Sequence, residues 1–255
     1  LKPGILHAGN TKKDYKYFLE EIEHMKSKYS YYNYEYFDEN SIKDEVNTDQ
    51  YYSGLLSKDS FHLNPLKLTY GLADQCLGKG IKIFENSPID KIEEKGNDIL
   101  LFSKNAVIKS KKVIIACNGY LDNLLGSVSN FFMPINNYII ATEPLGEKLA
   151  RQIIKRNCGV VDSRFMIDYY RFSEDHRLLF GGPETLTSKF VNNPVEFVSK
   201  RLFRVFPDLK NYKIDFSWGG TLAISVNRLP VFGTLMNNKL YYAHAYSGHG
   251  LAMSV

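Results

Sequence analysis

Cysteine is scarce in this chain: three in 255 residues, Cys76, Cys117 and Cys158, widely spaced and in no CxxC pair. That leaves no disulfide framework to read and suits a reducing cytoplasm, which is the expected location. Cys117 ends an apolar run and is expected to be a small buried side chain. The six histidines fall at no metal-ligand spacing, and no serine sits in a G-x-S-x-G elbow, so neither a metal nor a serine nucleophile is expected. No apolar run nears the ~20 residues of a membrane span. The longest, such as Val113-Ile-Ile-Ala-Cys117, are strand-sized. The N-terminus lacks a charged start, apolar middle and small-residue cleavage site, so no signal peptide is visible. Charge of one sign is also in short supply. The net charge is +4, with Lys12, Lys13, Lys109, Lys111 and Lys112 scattered as on a solvated surface rather than gathered into a nucleic-acid groove.

What remains is an ordinary globular composition, 44% hydrophobic and 24% charged, in a chain long enough for one large domain or two smaller ones. Tyr15, Phe18, Leu19, Ile22 and Met25 fall at helical spacing, so residues 13–25 read as an amphipathic helix. The tyrosine-rich stretch from Tyr29 to Phe37 reads as a surface covering of amphipathic rings. Asn64-Pro65 starts a second helix, with Asn as cap and Pro at the first helical position, and Gly78 and Gly80 stop it. Residues 81–85 read as a strand. A meander follows over 89–93, 99–102 and 107–109, with Lys95-Gly96-Asn97-Asp98 as one turn. Val113 to Cys117 has the fully apolar pattern of a strand buried on both faces.

From Pro134 onward the pattern alternates more. Residues 138–142, 168–172, 178–181 and 213–218 are candidate strands, and helices are expected over 146–156 and 194–206. This points to a mostly antiparallel sheet with flanking helices. The last strand, Leu240 to Ala245, matches Val113 to Cys117 in style, so the chain is expected to return to the first layer. It then enters Ser247-Gly248-His249-Gly250 and begins a helix over 251–255. A strand that turns on glycines into a helix start leaves backbone N–H groups unpaired, a site for a phosphate or an electron-rich ring oxygen. The alternative reading is a glycine-rich surface turn. Because the helix has so few residues, the chain reads as a piece of a longer protein.

Eight segments, in order, resemble one family. They are Phe61-His-Leu-Asn-Pro-Leu-Lys67, Lys112-Val-Ile-Ile-Ala-Cys-Asn-Gly-Tyr-Leu121, Tyr138-Ile-Ile-Ala-Thr-Glu-Pro-Leu145, Asp168-Tyr-Tyr-Arg-Phe172, Arg177-Leu-Leu-Phe-Gly-Gly182, Trp218-Gly-Gly-Thr221, Asn227-Arg-Leu-Pro230 and Tyr246-Ser-Gly-His-Gly250. The chain is similar, from about Tyr51 onward, to the FAD-dependent D-amino-acid oxidase/glycine oxidase family, and within it to the γ-glutamylputrescine oxidoreductase-like members. The resemblance implies an α/β (α+β) fold. A partial FAD-binding domain with a β-meander, residues 1–133 and 223–255, joins a substrate-binding domain of mostly antiparallel sheet, 134–222, with 30–60 assignable to either. The family's opening G-x-G-x-x-G unit, which cradles the FAD pyrophosphate, is absent from these residues.

The implied function is FAD-dependent oxidation of the C–N bond of an amine or amino acid, with a γ-glutamylputrescine-like substrate favoured. The alternative is a non-catalytic or fusion-partner module that keeps the fold. Expected partners are a small-molecule amine and an electron acceptor, oxygen or a carrier, since the family's oxygen-activating lysine has no counterpart in Leu178-Leu-Phe-Gly. By resemblance, the flavin lies against Ala116, Cys117, Asn118, Gly119 and Tyr120 and against Ser247, Gly248, His249 and Gly250, with Ile89 pairing its backbone with the adenine. Tyr169 and Arg171 share one face of their strand, with Tyr170 on the other. Arg171 is either a two-pronged anchor for a substrate carboxylate or one half of an ion pair with Asp168 or Glu174. Arg228 is a second candidate. His62 and His244 read as structural or supporting histidines.

Overall fold

A computed structural model describes residues 2–187 and 189–254. In chain order the elements are β1 (Lys2–Gly9), α1 (Asp14–Tyr29), β2 (Tyr34–Phe37), α2 (Ser41–Glu45), β3 (Ser53–His62), α3 (Pro65–Gly78), β4 (Lys91–Lys95), β5 (Asp98–Phe102), β6 (Val107–Ser110), β7 (Val113–Ile115) and α4 (Gly126–Ser129). There follow β8 (Phe132–Thr142), α5 (Gly146–Ile153), β9 (Gly159–Asp162), β10 (Tyr169–Phe172), β11 (Leu178–Thr185), α6 (Pro194–Val205), β12 (Ile214–Ser225), β13 (Val231–Leu235), β14 (Leu240–His244) and α7 (Gly250–Met253). They make a mixed α/β fold whose large sheet is mostly antiparallel and flanked by helices, as expected. Two compact units divide it. Unit 1 comprises Leu1–Leu72, Tyr138–Glu184 and Val191–Gly219; unit 2 comprises Ala73–Asn137, Thr185–Phe190 and Gly220–Val255.

Unit 1 is organised by a sheet of order β12-β8-β11-β10-β9-β1-β3-β2. β1 pairs antiparallel with β3 and parallel with β9, which places residues 2–62 in this unit rather than with 73–137. The sequence gives little sign of β1, because Pro3, Gly4 and Gly9 interrupt its apolar residues; a register shift between Pro3 and Ile5 absorbs the first two. One sheet face carries Leu6, Leu56, Val160, Tyr170 and Phe180, all buried with Val198, Leu202 and Val205 of α6. Asn193 caps α6 by accepting from the Glu196 N–H, and Pro194 takes the first helical position. Burying such side chains stabilises by roughly 1.5–3 kcal/mol each.

Unit 2 holds two three-stranded sheets, β4-β5-β6 and β13-β14-β7. The first is the expected meander, with its turn at Gly96-Asn97 between paired Lys95 and Asp98. In the second, β14 pairs parallel with β7, matching Leu240 with Val113 and Tyr242 with Ile115. The chain thus returns to the earlier strand, as the sequence suggested.

Several expectations need correction. Residues 81–85 form no strand, and Ile81, Ile83 and Phe84 are exposed. An extended run becomes a strand only with a ladder partner, and none is found among the described residues. Asn64 caps α3 through its Oδ1, which accepts from the N–H groups of Leu66 and Lys67, but no residue of α3 is buried. β7 is not covered on both faces: Val113 and Ile115 are buried, whereas Ile114 is 75% exposed. Cys117 is exposed, because the strand ends at Ile115 and the chain turns outward before reaching it. The last expected helical position, Val255, lies outside the described residues.

Candidate functional site

In unit 2, parallel pairing sends the chain out of β7 and β14 at the same end, into residues 116–120 and 245–250. Ligands of α/β folds favour the carboxyl ends of parallel strands. The Ala245 N–H donates to Asn118 Oδ1 at 3.2 Å, tying the two loops together. Residues 220–225 of β12 lie alongside both. The Tyr120 hydroxyl accepts from the Thr221 N–H at 2.9 Å, and the Ser247 N–H donates to the Ala223 carbonyl at 3.1 Å. Gly119 is buried against this strand, and a Cβ there would lie 2.6 Å from the Thr221 carbonyl oxygen. Only glycine allows that approach.

The loops hold an unusual backbone. Asn118, Ala245 and Ser247 have φ of 47°, 59° and 52°, and Gly248 has φ of 87°. Such left-handed non-glycine residues gather at functional sites. In the hinge, the N–H groups of Ser247 and His249 are taken by Ala223 and Tyr246. For Gly248 and Gly250 no acceptor is found among the described residues, so two hinge amides rather than all four are bare. Gly248 and His249 are exposed, and the His249 ring Nδ1 stays local, 3.1 Å from the Ser247 carbonyl oxygen.

His244, at the root of the hinge, is fully buried between the rings of Phe132 and Tyr242, at centroid distances of 5.9 and 6.1 Å. Among the described residues neither ring nitrogen has a hydrogen-bond partner within bonding geometry. Burial holds its basicity below the ordinary value, with the nearby Asn118 backbone opposing. Of the other sequence candidates in this unit, Ile89 is half-buried just before β4. Arg228 is an exposed turn residue with φ of 59°. Thr221 was missed, although Trp218-Gly-Gly-Thr221 held the signal: a glycine pair marks close backbone approach.

Unit 1 carries the second group. Burial along β10 alternates as expected, with Tyr169 and Arg171 on one face and Tyr170 in the core. The Tyr170 hydroxyl donates to that of Tyr51 at 3.0 Å, and its ring stacks on Phe180. Across the ladder from Tyr169 stands Gly181, where a Cβ would lie 2.5 Å from the Tyr169 ring. The glycine lets the ring lie flat over β11. Arg171 is half-buried, and burial lowers the basicity of its guanidinium.

The ion-pair alternative for Arg171 fails. Asp168 is buried and pairs with Arg164 at 2.9 Å, Arg201 at 2.5 Å and Arg204 at 3.1 Å. Glu174 pairs with Lys67. Among the described residues Arg171 makes only a long contact, 3.5 Å from the Phe172 carbonyl oxygen, and no carboxylate faces it. His62 is the structural histidine expected, buried with Nε2 2.9 Å from the Asn157 carbonyl oxygen. No group of three or more metal-ligating side chains occurs among the described residues.

Comparison with known proteins shows the family and the fold. The chain matches the family described as FAD dependent oxidoreductase (DAO) over residues 1–255. It is 38% identical over 242 residues to a probable oxidoreductase, OrdL, of Haemophilus influenzae, covering 92% of this chain and 55% of that protein. It is 36% identical over 234 residues to the gamma-glutamylputrescine oxidoreductase of Escherichia coli, covering 91% and 54%. The chain therefore spans about half the length of these curated relatives. Among solved structures, L-proline dehydrogenase from P. horikoshii superimposes with a TM-score of 0.80 at 20% identity, covering 100% of this chain and 69% of that one. That likeness concerns the fold alone.

Proposed function

We propose, starting from the fact that this chain belongs to the FAD dependent oxidoreductase (DAO) family, that it carries part of the cofactor site and the substrate sheet of a flavoenzyme oxidising the C–N bond of an amine or amino acid. A γ-glutamylputrescine-like substrate is favoured, in keeping with the name of one relative. The observation that carries the reading is the joining of the 116–120 and 245–250 loops at the carboxyl ends of β7 and β14.

These residues suit a flavin. Gly119 keeps its loop pressed to Thr221, and the unpaired Gly248 and Gly250 amides offer donors to an electron-rich ring edge. The backbones of 116–120 and 247–250 would hold the ring and Ile89 the adenine. When bound, the flavin supplies the two-electron acceptor. The chain's residues position and hold: Arg171 binds the substrate carboxylate, Tyr169 packs over its chain, and Arg228 is a second anion contact. On this reading unit 2 is the cofactor part and unit 1 the substrate part. Few, dispersed cysteines fit a cytoplasmic setting, and the acceptor is oxygen or a carrier.

The test is direct. Full-length protein is expected to purify yellow and to bleach on addition of γ-glutamylputrescine. Protein that stays colourless after reconstitution with FAD overturns the reading.

A further inference from the structure

On the Tyr169 and Arg171 face of the unit 1 sheet, register places one more side chain. His7 of β1 pairs with Val161 of β9, and Val161 pairs with Tyr169. Paired residues share a face, so His7 and Tyr169 stand two strand spacings apart, about 10 Å. Beside His7 opens a cleft of about 440 Å³, lined by His7, Asp14, Tyr17, Phe18, Asp162 and Ser163. Three elements build it: β1, α1 and the exit of β9.

The chemistry of this cleft is that of a cation site. Its lining includes no lysine or arginine. Asp14 Oδ2 accepts from the Ser163 hydroxyl at 2.6 Å and from the Thr11 N–H at 2.9 Å, and Oδ1 accepts from the Thr11 hydroxyl at 2.7 Å. No basic group pairs with it among the described residues. Burial pushes its carboxyl up, but those hydrogen bonds outweigh the effect and hold it ionised. Asp162, by contrast, is committed to Arg164. The His7 imidazole is exposed and makes no hydrogen bond among the described residues; partial desolvation by the groups packed around it lowers its basicity, and the charge of Glu21 opposes this. A neutral imidazole offers a lone pair, and the exposed Tyr17 ring offers a π face.

The sheet face therefore carries an unpaired guanidinium at one end and an unpaired carboxylate with a neutral imidazole at the other. Arg171 lies two residues beyond Tyr169, so it stands roughly 12 Å from His7 across the sheet. An extended chain of about ten bonds spans that distance.

We infer that the His7–Asp14 cleft is a binding site for the ammonium end of a long substrate whose carboxylate is held at Arg171. The class is a zwitterion with its opposite charges about ten bonds apart, as in an amino acid amide-linked to a diamine. The inference rests on the proposed amine oxidation only for the identity of the ligand. Ammonium binding itself needs no flavin.

Full-length protein is titrated with 1,4-diaminobutane, with butane-1,4-diol as the uncharged control, following the His7 Cε1–H resonance and the heat of binding. The diamine is expected to move that resonance saturably, and the diol to leave it in place. Asp14→Asn, which keeps the acceptor oxygen facing Thr11, is expected to weaken diamine binding about ten-fold. His7→Gln serves as a second variant, read by heat alone, with weaker binding expected. Equal responses to diamine and diol, or unchanged affinity in both variants, overturn the inference. In full-length holoenzyme, normal flavin reduction with an unchanged KM in both variants refutes the cleft and leaves the flavoenzyme reading standing. Diamine binding without flavin reduction by any amine does the reverse.

Discussion

The two candidate regions are made in opposite ways. On β10 the chemistry sits in side chains, which a regular strand sets at fixed spacing on one face, with the core below. At the ends of β7 and β14 it sits in backbone groups, exposed where loops leave the ladder in left-handed conformations. One region depends on what its residues carry, the other on what they omit. A side-chain region tolerates small shifts of its support; a backbone region held by contacts such as Gly119 against Thr221 does not.

That contrast can be broken or sharpened. The largest effect is expected at Asp168, the buried carboxylate beneath the β10 region. Asp168→Ala takes the carboxylate away from Arg201 and Arg204, leaves Arg164 with the Asp162 carboxylate alone, and should cost about 3–5 kcal/mol in urea denaturation. Next comes the paired insertion of one methyl. Gly119→Ala meets a backbone carbonyl that cannot step aside, with an expected loss of about 1–3 kcal/mol and of flavin retention by the full-length protein. Gly181→Ala meets only the movable ring of Tyr169, so the flavin spectrum should persist while the KM rises. Equal behaviour of the two variants would erase the distinction.

Arg171→Ala should raise the KM roughly 10- to 100-fold, the equivalent of losing one charged hydrogen-bonding partner, again with the flavin spectrum intact. An unchanged KM would remove Arg171 from the substrate face. The smallest effect concerns acid stability at the edge of the unit 1 sheet. Two hydrogen bonds from Arg156, aided by Lys58, hold the Glu35 carboxyl down from 4.5 to about 2. Ionised Glu35 therefore favours the folded form fully above pH 4.5, and this contribution fades as the pH falls toward 2. Glu35→Gln should flatten that part of the acid-denaturation curve and leave the neutral region little changed.

Much of this was legible in the residues. The Asn64 and Asn193 caps, the Gly96-Asn97 turn and the β10 alternation follow from local rules that need no distant partner. The return of β14 to β7 was readable because both runs share one apolar style. Legibility failed where the outcome depends on a neighbour. Residues 81–85 have strand composition without a ladder, Ile114 has core chemistry without a cover, and β1 owes its existence to β3 and β9. The candidate loops could be located, but not which amides stay bare, since Ala223 and Tyr246 claim two of the four. His7 gave no sequence signal, because only the β1–β9–β10 register brings it to the Tyr169 face.

The hydrogen bond from Ala245 to Asn118 joins residues 127 positions apart. Two of the three segments of unit 1, Tyr138–Glu184 and Val191–Gly219, are synthesised between them, and the third, Leu1–Leu72, before both. A ribosome-bound chain emerging from its N-terminal end can thus assemble most of the large sheet while β7 still waits for its parallel neighbour. Long-range pairings of this kind form late, because the intervening segment must first be ordered. Both loops at the ends of those strands are therefore completed together, only after the strands of the large sheet have been made.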